Sequence, residues 1–182
     1  MIQKRAITAE ELLVLPDDGH SYELVKGELS MMTPAGFEHG RVASQINYLI
    51  IQHVRKNDLG VVLAAETGFT LARSPDTVRA PDVSFVRQDR IPPKDQQHKF
   101  AELGPDLVVE VVSPNDRPAE IEEKVREYIE AGVRLIWIAH PGTRIVQEYR
   151  PSAERRDCTS SDELDGYDVL PGFKCDVAEF FE

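Results

Sequence analysis

The chain has 182 residues, 41% of them hydrophobic, and a formal net charge of −11 at pH 7. This length and composition are typical of a globular protein with a substantial core, and we expect one domain over residues 1–182. The negative charge argues against a strong, nonspecific nucleic-acid binder, because it repels phosphate.

In chain order, the N-terminal half of the sequence predicts a short helix, a hairpin, a long helix and several strands. Thr8 and Glu11 form a capping-box pair at the start of the first helix. The hairpin turns at Lys26-Gly27, and apolar residues at the helical period mark the long helix. The expected bounds are 8–15 for the first helix, 22–25 and 28–32 for the hairpin, 38–56 for the long helix, and 61–65, 68–72 and 82–86 for three strands.

The C-terminal half predicts a helix between two buried strands, followed by shorter extended pieces. Asn115 or Asp116 is expected to cap this helix, and Gly132 to end it. The order of elements predicts an α/β fold with a mixed central sheet flanked by helices, in which strand, helix and strand form a βαβ crossover. The expected bounds are 87–104 for a loop, 107–112 for a strand, 116–131 for the helix, 135–139 and 144–149 for two strands, and 151–166 for a second loop.

The sequence gives no indication of membrane insertion or secretion. No apolar run approaches the roughly 20 residues of a membrane span, and residues 1–5 lack the apolar core of a signal peptide. The two cysteines, Cys158 and Cys175, are too few for a disulfide scaffold. We therefore expect a cytoplasmic protein without membrane contact.

The strand over 107–112 contains one carboxylate, Glu110, among valines and a leucine. Burying an ionised carboxylate costs free energy unless the group is paired or binds a metal. Glu110 is therefore predicted either to pair with a buried Arg or Lys or to bind a metal ion, and a metal site needs a second acid nearby.

Pro-Asp dipeptides offer four candidates for that second acid, namely Asp17, Asp76, Asp82 and Asp106. Asp17 and Asp76 lie in turn-rich segments and are interpreted as turn residues. Asp106 precedes Glu110 by four residues. On one strand this separation is roughly 13 Å, too far for one metal ion with oxygen ligands at about 2–2.6 Å. Asp82 opens a different strand and can lie beside Glu110 at the ~5 Å spacing of paired strands.

Lys124 lies on the helix that follows the Glu110 strand. It borders the apolar stripe predicted for that helix, which consists of Ile121, Val125, Tyr128 and Ile129. A lysine in this position either points its ammonium into a site beneath the helix or extends to solvent. The charged residues expected mostly on the opposite side are Glu122, Glu123, Arg126, Glu127 and Glu130.

Two more side chains are candidates for the site. His39 lies in the core-facing stripe of the long helix, near its N-terminus, and is either a core residue or a ligand. Glu23 lies on the first hairpin strand between apolar neighbours, and is either an exposed strand charge or an additional acid of the site.

Several segments together resemble the Uma-two family of restriction-endonuclease-like proteins, which belongs to the PD-(D/E)XK nuclease superfamily. The resemblance covers roughly residues 8–180, and the order and spacing of the segments are more specific than any one of them. The segments that carry it are 22–29, 34–39, 80–84, 107–114, 124–128, 132–133 and Trp137.

The resemblance implies a restriction-endonuclease-like core and assigns residues to a nuclease site. Asp82 matches the motif aspartate, and Glu110 matches the acidic member of the (D/E)XK element. Val112 stands where the superfamily usually has its lysine, and Lys124 matches a lysine that this family places on the following helix.

We therefore expect an endonuclease that hydrolyses DNA phosphodiester bonds with Mg²⁺, or with Mn²⁺. Asp82, Glu110 and Lys124 are the expected catalytic residues, Asp82, Glu110 and His39 the expected metal ligands, and Glu23 an additional acid near the site. DNA is the expected partner, and a homodimer is expected because cutting both strands of a duplex commonly pairs two sites. The alternative from another class is a nucleic-acid-binding or assembly module on a nuclease fold, without turnover, which the net charge favours.

Overall fold

The computed structural model describes residues 5–182, where the chain forms α-helices and β-strands in a mixed α/β arrangement. The helices are α1 (Ala9–Leu13), α2 (Phe37–Lys56) and α3 (Pro118–Glu130). The strands are β1 (Ser21–Val25), β2 (Glu28–Met32), β3 (Gly60–Ala64), β4 (Phe69–Ala72), β5 (Thr77–Arg79), β6 (Val83–Arg87), β7 (Leu107–Val111), β8 (Leu135–His140), β9 (Ile145–Tyr149), β10 (Arg156–Cys158), β11 (Glu163–Asp165) and β12 (Lys174–Asp176).

Two sheets build the part of the fold that carries the candidate site. The larger has six strands in the order β10-β9-β8-β7-β6-β3, and the smaller has four in the order β2-β1-β5-β4. Strands β7 and β8 pair in parallel and are connected through α3, which makes them a βαβ unit, whereas β6 and β7 pair antiparallel. The predicted mixed sheet is therefore confirmed.

The larger sheet lies between two helices because its strands are apolar on both faces. Alternate side chains of a strand point to opposite faces, so Val109 and Val111 of β7 pack in the cluster that contains the buried face of α2. Val108 packs with Val125 and Tyr128 of α3 on the other face. Glu110 belongs to the second set by alternation, and the strand pleat alone therefore directs it towards α3.

Helix α3 begins differently from the prediction. Its N-cap is Arg117, which makes no capping hydrogen bond through its side chain, and Pro118 is the first helical residue. A proline is favoured there because its fixed φ suits a helix and its missing N–H would have no partner. The carboxylate of Asp116 instead accepts a hydrogen bond from the Ser113 N–H at 2.7 Å. The predicted stop at Gly132 is confirmed by its φ of +85°.

The sequence pattern missed the shortest strands. Strand β5 was not predicted, and the expected loop over 151–166 contains β10 and β11, each of three residues. Three residues are too few to show an alternating pattern, and these strands form because a neighbouring edge pairs with them. Cys158 and Cys175 are free and buried, as expected of a chain without a disulfide scaffold.

No helix among residues 5–182 combines the length and the apolar character needed to cross a membrane. The expectation that no signal peptide is present concerned residues 1–5, and residues 1–4 of this segment lie outside the described residues.

Candidate active site

The antiparallel pairing of β6 and β7 brings Asp82 next to Glu110. Val83 is opposite Val109 in the register, so Asp82, one residue earlier, lies beside Glu110, one residue later. The Asp82 carboxylate oxygen Oδ2 accepts a hydrogen bond from the Val111 N–H at 2.8 Å, which fixes the side chain against β7. This is the arrangement predicted for the Asp82–Glu110 pair.

Both carboxylates line a groove of about 690 Å³, which we call the α3 groove. The groove lies between β2 with the segment that follows it and the N-terminal half of α3. All five side chains predicted for the site line it, and a buried arginine joins them. These six are Glu23, His39, Arg79, Asp82, Glu110 and Lys124.

Lys124 points into the α3 groove towards Glu110. Its Nζ lies 3.3 Å from both carboxylate oxygens of Glu110 and 3.8 Å from Oε1 of Glu23. One helical turn later, the Tyr128 hydroxyl donates a hydrogen bond of 2.6 Å to Oε1 of Glu110. Residues four apart share one helix face, so α3 contributes an amine and a hydroxyl to the same carboxylate.

The surroundings of Glu110 favour its protonated form more than water does. Burial, together with the negative charges of Asp82 and Glu23, raises the pKa of Glu110 to about 7 against the opposing effects of Lys124 and Tyr128. Burial alone would lower the pKa of Lys124, but Glu110 and Glu23 outweigh it and raise that pKa, so the amine stays charged. Burial and then the charge of Glu110 raise the pKa of Tyr128 well above its ordinary value, which keeps this hydroxyl a donor.

Glu110 makes the stability of the metal-free protein depend on pH. Because its pKa of about 7 exceeds the ordinary 4.5, the folded state binds this proton more tightly than the unfolded state. The resulting stability is present below about pH 4.5 and is lost as the pH rises through about 7. We expect Glu110→Gln, which cannot ionise, to gain about 1–3 kcal/mol of unfolding free energy relative to the wild type between pH 5 and pH 8.

Urea unfolding in EDTA at the two pH values measures this difference. The raised pKa of His39 gives a pH dependence of the same sign, but both proteins contain His39 and its contribution largely cancels in the comparison. An identical pH dependence in the two proteins would contradict the pKa assigned to Glu110.

His39 contacts the other carboxylate of the pair. It lies in the first turn of α2, and its Nε2 is 3.2 Å from Oδ2 of Asp82. The hydrogen bond to Asp82 raises the pKa of the imidazole. In this arrangement Nε2 of His39 contacts the Asp82 carboxylate. The role of His39 as a metal ligand stays a prediction.

Glu23 belongs to a buried network that the sequence did not predict. Its Oε2 accepts a hydrogen bond from Nη1 of Arg79 at 2.8 Å, and its Oε1 accepts one from the Ala80 N–H at 3.0 Å. Nε of Arg79 donates to Oε2 of Glu127 at 2.7 Å. Arg79, 5% exposed, thereby links β1 and β5 of the smaller sheet to α3.

Helix α3 differs from the prediction at two positions. Glu127, expected mostly on the solvent side, is buried against Arg79, whereas Ile129, expected in the apolar stripe, is 36% exposed. Tyr128 is buried in the core as expected, but its hydroxyl reaches Glu110. The one signal for Tyr128 was its spacing of four from Lys124. Arg79 had no signal, because its three-residue strand was not recognised.

The three remaining Pro-Asp aspartates have structural partners elsewhere. Asp17 accepts a hydrogen bond from the N–H of Gly19, two residues on, as a turn residue does. Asp76 accepts one from the N–H of Ala9 at the start of α1. Asp106 is 1% exposed and is paired with Arg90. Of the four aspartates, Asp82 is therefore the one that lies beside Glu110, and its role in a site stays a prediction.

The carboxylate oxygens that line the α3 groove are of the type that binds a hard divalent cation. Among residues 5–182, no three His, Cys, Asp or Glu side chains form a ready-made metal cluster. Mg²⁺ does not require one, since it is usually held by one or two carboxylates together with waters and substrate phosphate oxygens. Asp82 and Glu110 supply two such carboxylates to one groove.

Comparison with known proteins also relates this chain to nucleases. The model of the family described as "Uma2: Putative restriction endonuclease" matches residues 9–178. The chain belongs to this family. The resemblance noted in the sequence is thereby confirmed, and membership of Uma2 supports a nuclease-like function.

A solved structure shows the fold that this Uma2 chain shares. A crystal structure from Anabaena variabilis ATCC 29413, described as "a putative nuclease belonging to DUF820", has 20% sequence identity and a TM-score of 0.84, covering 96% of this chain and 97% of that chain. At this identity the likeness concerns the fold, and it confirms the predicted fold class. None of the curated proteins compared with the chain matches it.

Proposed function

We propose that this Uma2 protein is a metal-dependent endonuclease that hydrolyses DNA phosphodiester bonds. The observation that supports this most is the convergence of Asp82, Glu110 and Lys124 in the α3 groove from β6, β7 and α3. Hydrolysis of a phosphodiester can use two carboxylates to hold a metal ion and an amine to offset negative charge, and all three groups line this groove.

Asp82 and Glu110 would hold one or two Mg²⁺ ions through their carboxylate oxygens, and Mn²⁺ would also fit if His39 joined the ligands. When bound, the metal lowers the pKa of a bound water and stabilises charge on the phosphate. Lys124, already 3.3 Å from Glu110, would orient that water and offset negative charge on the phosphate oxygens. Tyr128 holds Glu110 in place through its hydroxyl.

A homodimer is part of the proposal because two antiparallel strands of a duplex require two sites in opposite orientations. An isologous dimer supplies such a pair by symmetry. Light scattering of the purified protein, with and without a DNA duplex, measures the assembly state directly.

A second candidate is an assembly or nucleic-acid-binding module without turnover. The net charge of −11 supports it, since it opposes the approach of a polyanion. Under this alternative the charged side chains that line the α3 groove would only stabilise the fold, and added divalent cations would have no specific binding site.

Cleavage and thermal stability together separate the two candidates. We expect the wild type to cut plasmid and short duplex DNA with Mg²⁺ or Mn²⁺ and to lose this activity in EDTA. We also expect either cation at millimolar concentration to raise the melting temperature, since saturation at a hundred times the Kd contributes about 2.7 kcal/mol. If both Mg²⁺ and Mn²⁺ produce no cleavage and no shift of the melting temperature, the nuclease proposal is rejected.

A further inference from the structure

A second groove leads away from the candidate active site along α2. It has a volume of about 480 Å³ and shares Asp82, His39 and the wall over residues 32–35 with the α3 groove. We call it the α2 groove. Because Asp82 and His39 line both, a ligand that reaches Asp82 can occupy either groove or run from one into the other.

Small side chains create the α2 groove. Ala43 and Ser44 lie one helical turn after Gly40 on α2. Ala64 and Ala65 line the groove together with these three residues. A Cβ at Gly40 would meet no atom within 4 Å, as expected for a position that faces open space. The small side chains of the walls thus leave room for an extended ligand to lie along α2.

The two grooves differ in charge. Apart from the five predicted site residues and the buried Arg79, the charged residues that line the α3 groove are the acids Asp116, Glu120 and Glu123. Glu123 is paired with Lys26 at 2.7 Å, whereas the exposed Glu120 has one basic partner among residues 5–182, Arg117 at 3.9 Å. Phosphates that followed this groove along α3 would meet like charges.

The α2 groove is close to neutral by comparison. Its acids are the shared Asp82 and one exposed residue, Glu66. Ser44 offers an exposed hydroxyl, and Asn47 lines the groove one helical turn further along α2.

We infer that the α2 groove binds the stretch of DNA strand on one side of the scissile phosphate, and that the strand does not follow the acidic walls of the α3 groove along α3. The inference rests on the proposed nuclease function and deepens it by stating where the substrate lies. In this arrangement the phosphodiester backbone passes Ser44 and Glu66 and reaches the site at Asp82.

Charge changes in the α2 groove test this inference. We expect Ser44→Lys to strengthen and Ser44→Glu to weaken binding of a labelled 12-nucleotide DNA strand, each by on the order of fivefold at low salt. Gaining one phosphate contact should also steepen the plot of log K against log salt by about 0.7 for a single strand and about 0.9 for a duplex. The matched controls are Gln52→Lys and Gln52→Glu, which change charge by the same amounts at an exposed polar position of α2 outside both grooves.

A second matched pair compares the grooves directly. Glu66→Lys and Glu120→Lys make the same charge change at exposed positions, and we expect the larger gain in binding from Glu66→Lys. Fluorescence anisotropy in EDTA measures binding, and single-turnover cleavage with Mg²⁺ measures activity for each variant, with single-stranded and duplex probes of one sequence.

The outcomes separate the two proposals. If the wild type cleaves DNA while the Ser44 variants behave like the Gln52 controls, or while Glu120→Lys gives the larger gain, the path along α2 is wrong and the nuclease function stands. If the wild type neither binds nor cleaves either probe, the nuclease function is rejected, and the strand path is rejected with it.

Discussion

Replacing Lys124 with methionine is expected to reduce metal-dependent DNA cleavage by about 10²–10³-fold, the usual effect of removing one preorganised group that stabilises transition-state charge. Methionine keeps most of the length of the side chain but removes the ammonium that lies 3.3 Å from Glu110. Glu110→Gln should lose at least as much activity, because an amide binds a hard cation far less well than a carboxylate. The initial rate of cleavage of a labelled duplex measures both effects.

The two variants should differ in metal binding, which separates their roles. Lys124→Met keeps both carboxylates and should keep the rise in melting temperature with Mg²⁺ or Mn²⁺, whereas Glu110→Gln should lose most of it. Lys26→Met is the matched control, since Lys26 pairs with Glu123 on the same helix but is largely exposed. Circular dichroism confirms that each variant is folded. Wild-type cleavage rates in both Lys124→Met and Glu110→Gln would exclude this site.

Replacing Arg79 with methionine is expected to destabilise the protein by about 3–5 kcal/mol, the cost of removing one member of a buried ion pair. Arg79 is paired with Glu23 and Glu127, and the side chains of all three are less than 10% exposed. Without the guanidinium, both carboxylates stay buried and lose this partner, and Glu23 keeps only the weaker support of the Ala80 N–H and of Lys124 at 3.8 Å among residues 5–182. Oε1 of Glu127 already has no hydrogen-bond partner among residues 5–182. Urea unfolding at pH 7 measures the loss.

Two further variants test whether the loss arises from unpaired charge. Arg155→Met removes an arginine paired with Asp157 at the surface, where both side chains are about half exposed, and should cost no more than about 1 kcal/mol. Adding Glu23→Gln and Glu127→Gln to Arg79→Met removes the two buried charges and should recover part of the stability. A cost for Arg79→Met no larger than that for Arg155→Met would show that the buried network contributes little.

The sequence predicted the fold where elements are long and regular. Helix α2, with its apolar period, and the β7–α3–β8 unit were placed within a few residues, because periodic burial of apolar side chains is visible in the sequence. The short strands β5, β10 and β11 were not placed, because three residues are too few to show an alternating pattern and each strand depends on pairing with another strand, namely β1, β9 and β12.

The candidate site was predictable where a charge stands out against its neighbours. Glu110 interrupts an apolar strand, and Lys124 borders an apolar stripe, so both positions were conspicuous without coordinates. Arg79 and Glu127 were not, because each looks like an ordinary surface charge in the sequence. Only the packing of the smaller sheet against α3 makes them a buried pair.

From the sequence, Glu110 and Lys124 could be proposed as residues of the site, because an acid in a buried strand and a lysine beside an apolar stripe need partners whatever the fold. Three features follow only from the folded structure: the register that sets Asp82 beside Glu110, the Tyr128 hydroxyl on the same carboxylate, and the groove along α2. These depend on distances between segments that are far apart in the chain, and such distances are fixed by strand pairing and helix packing.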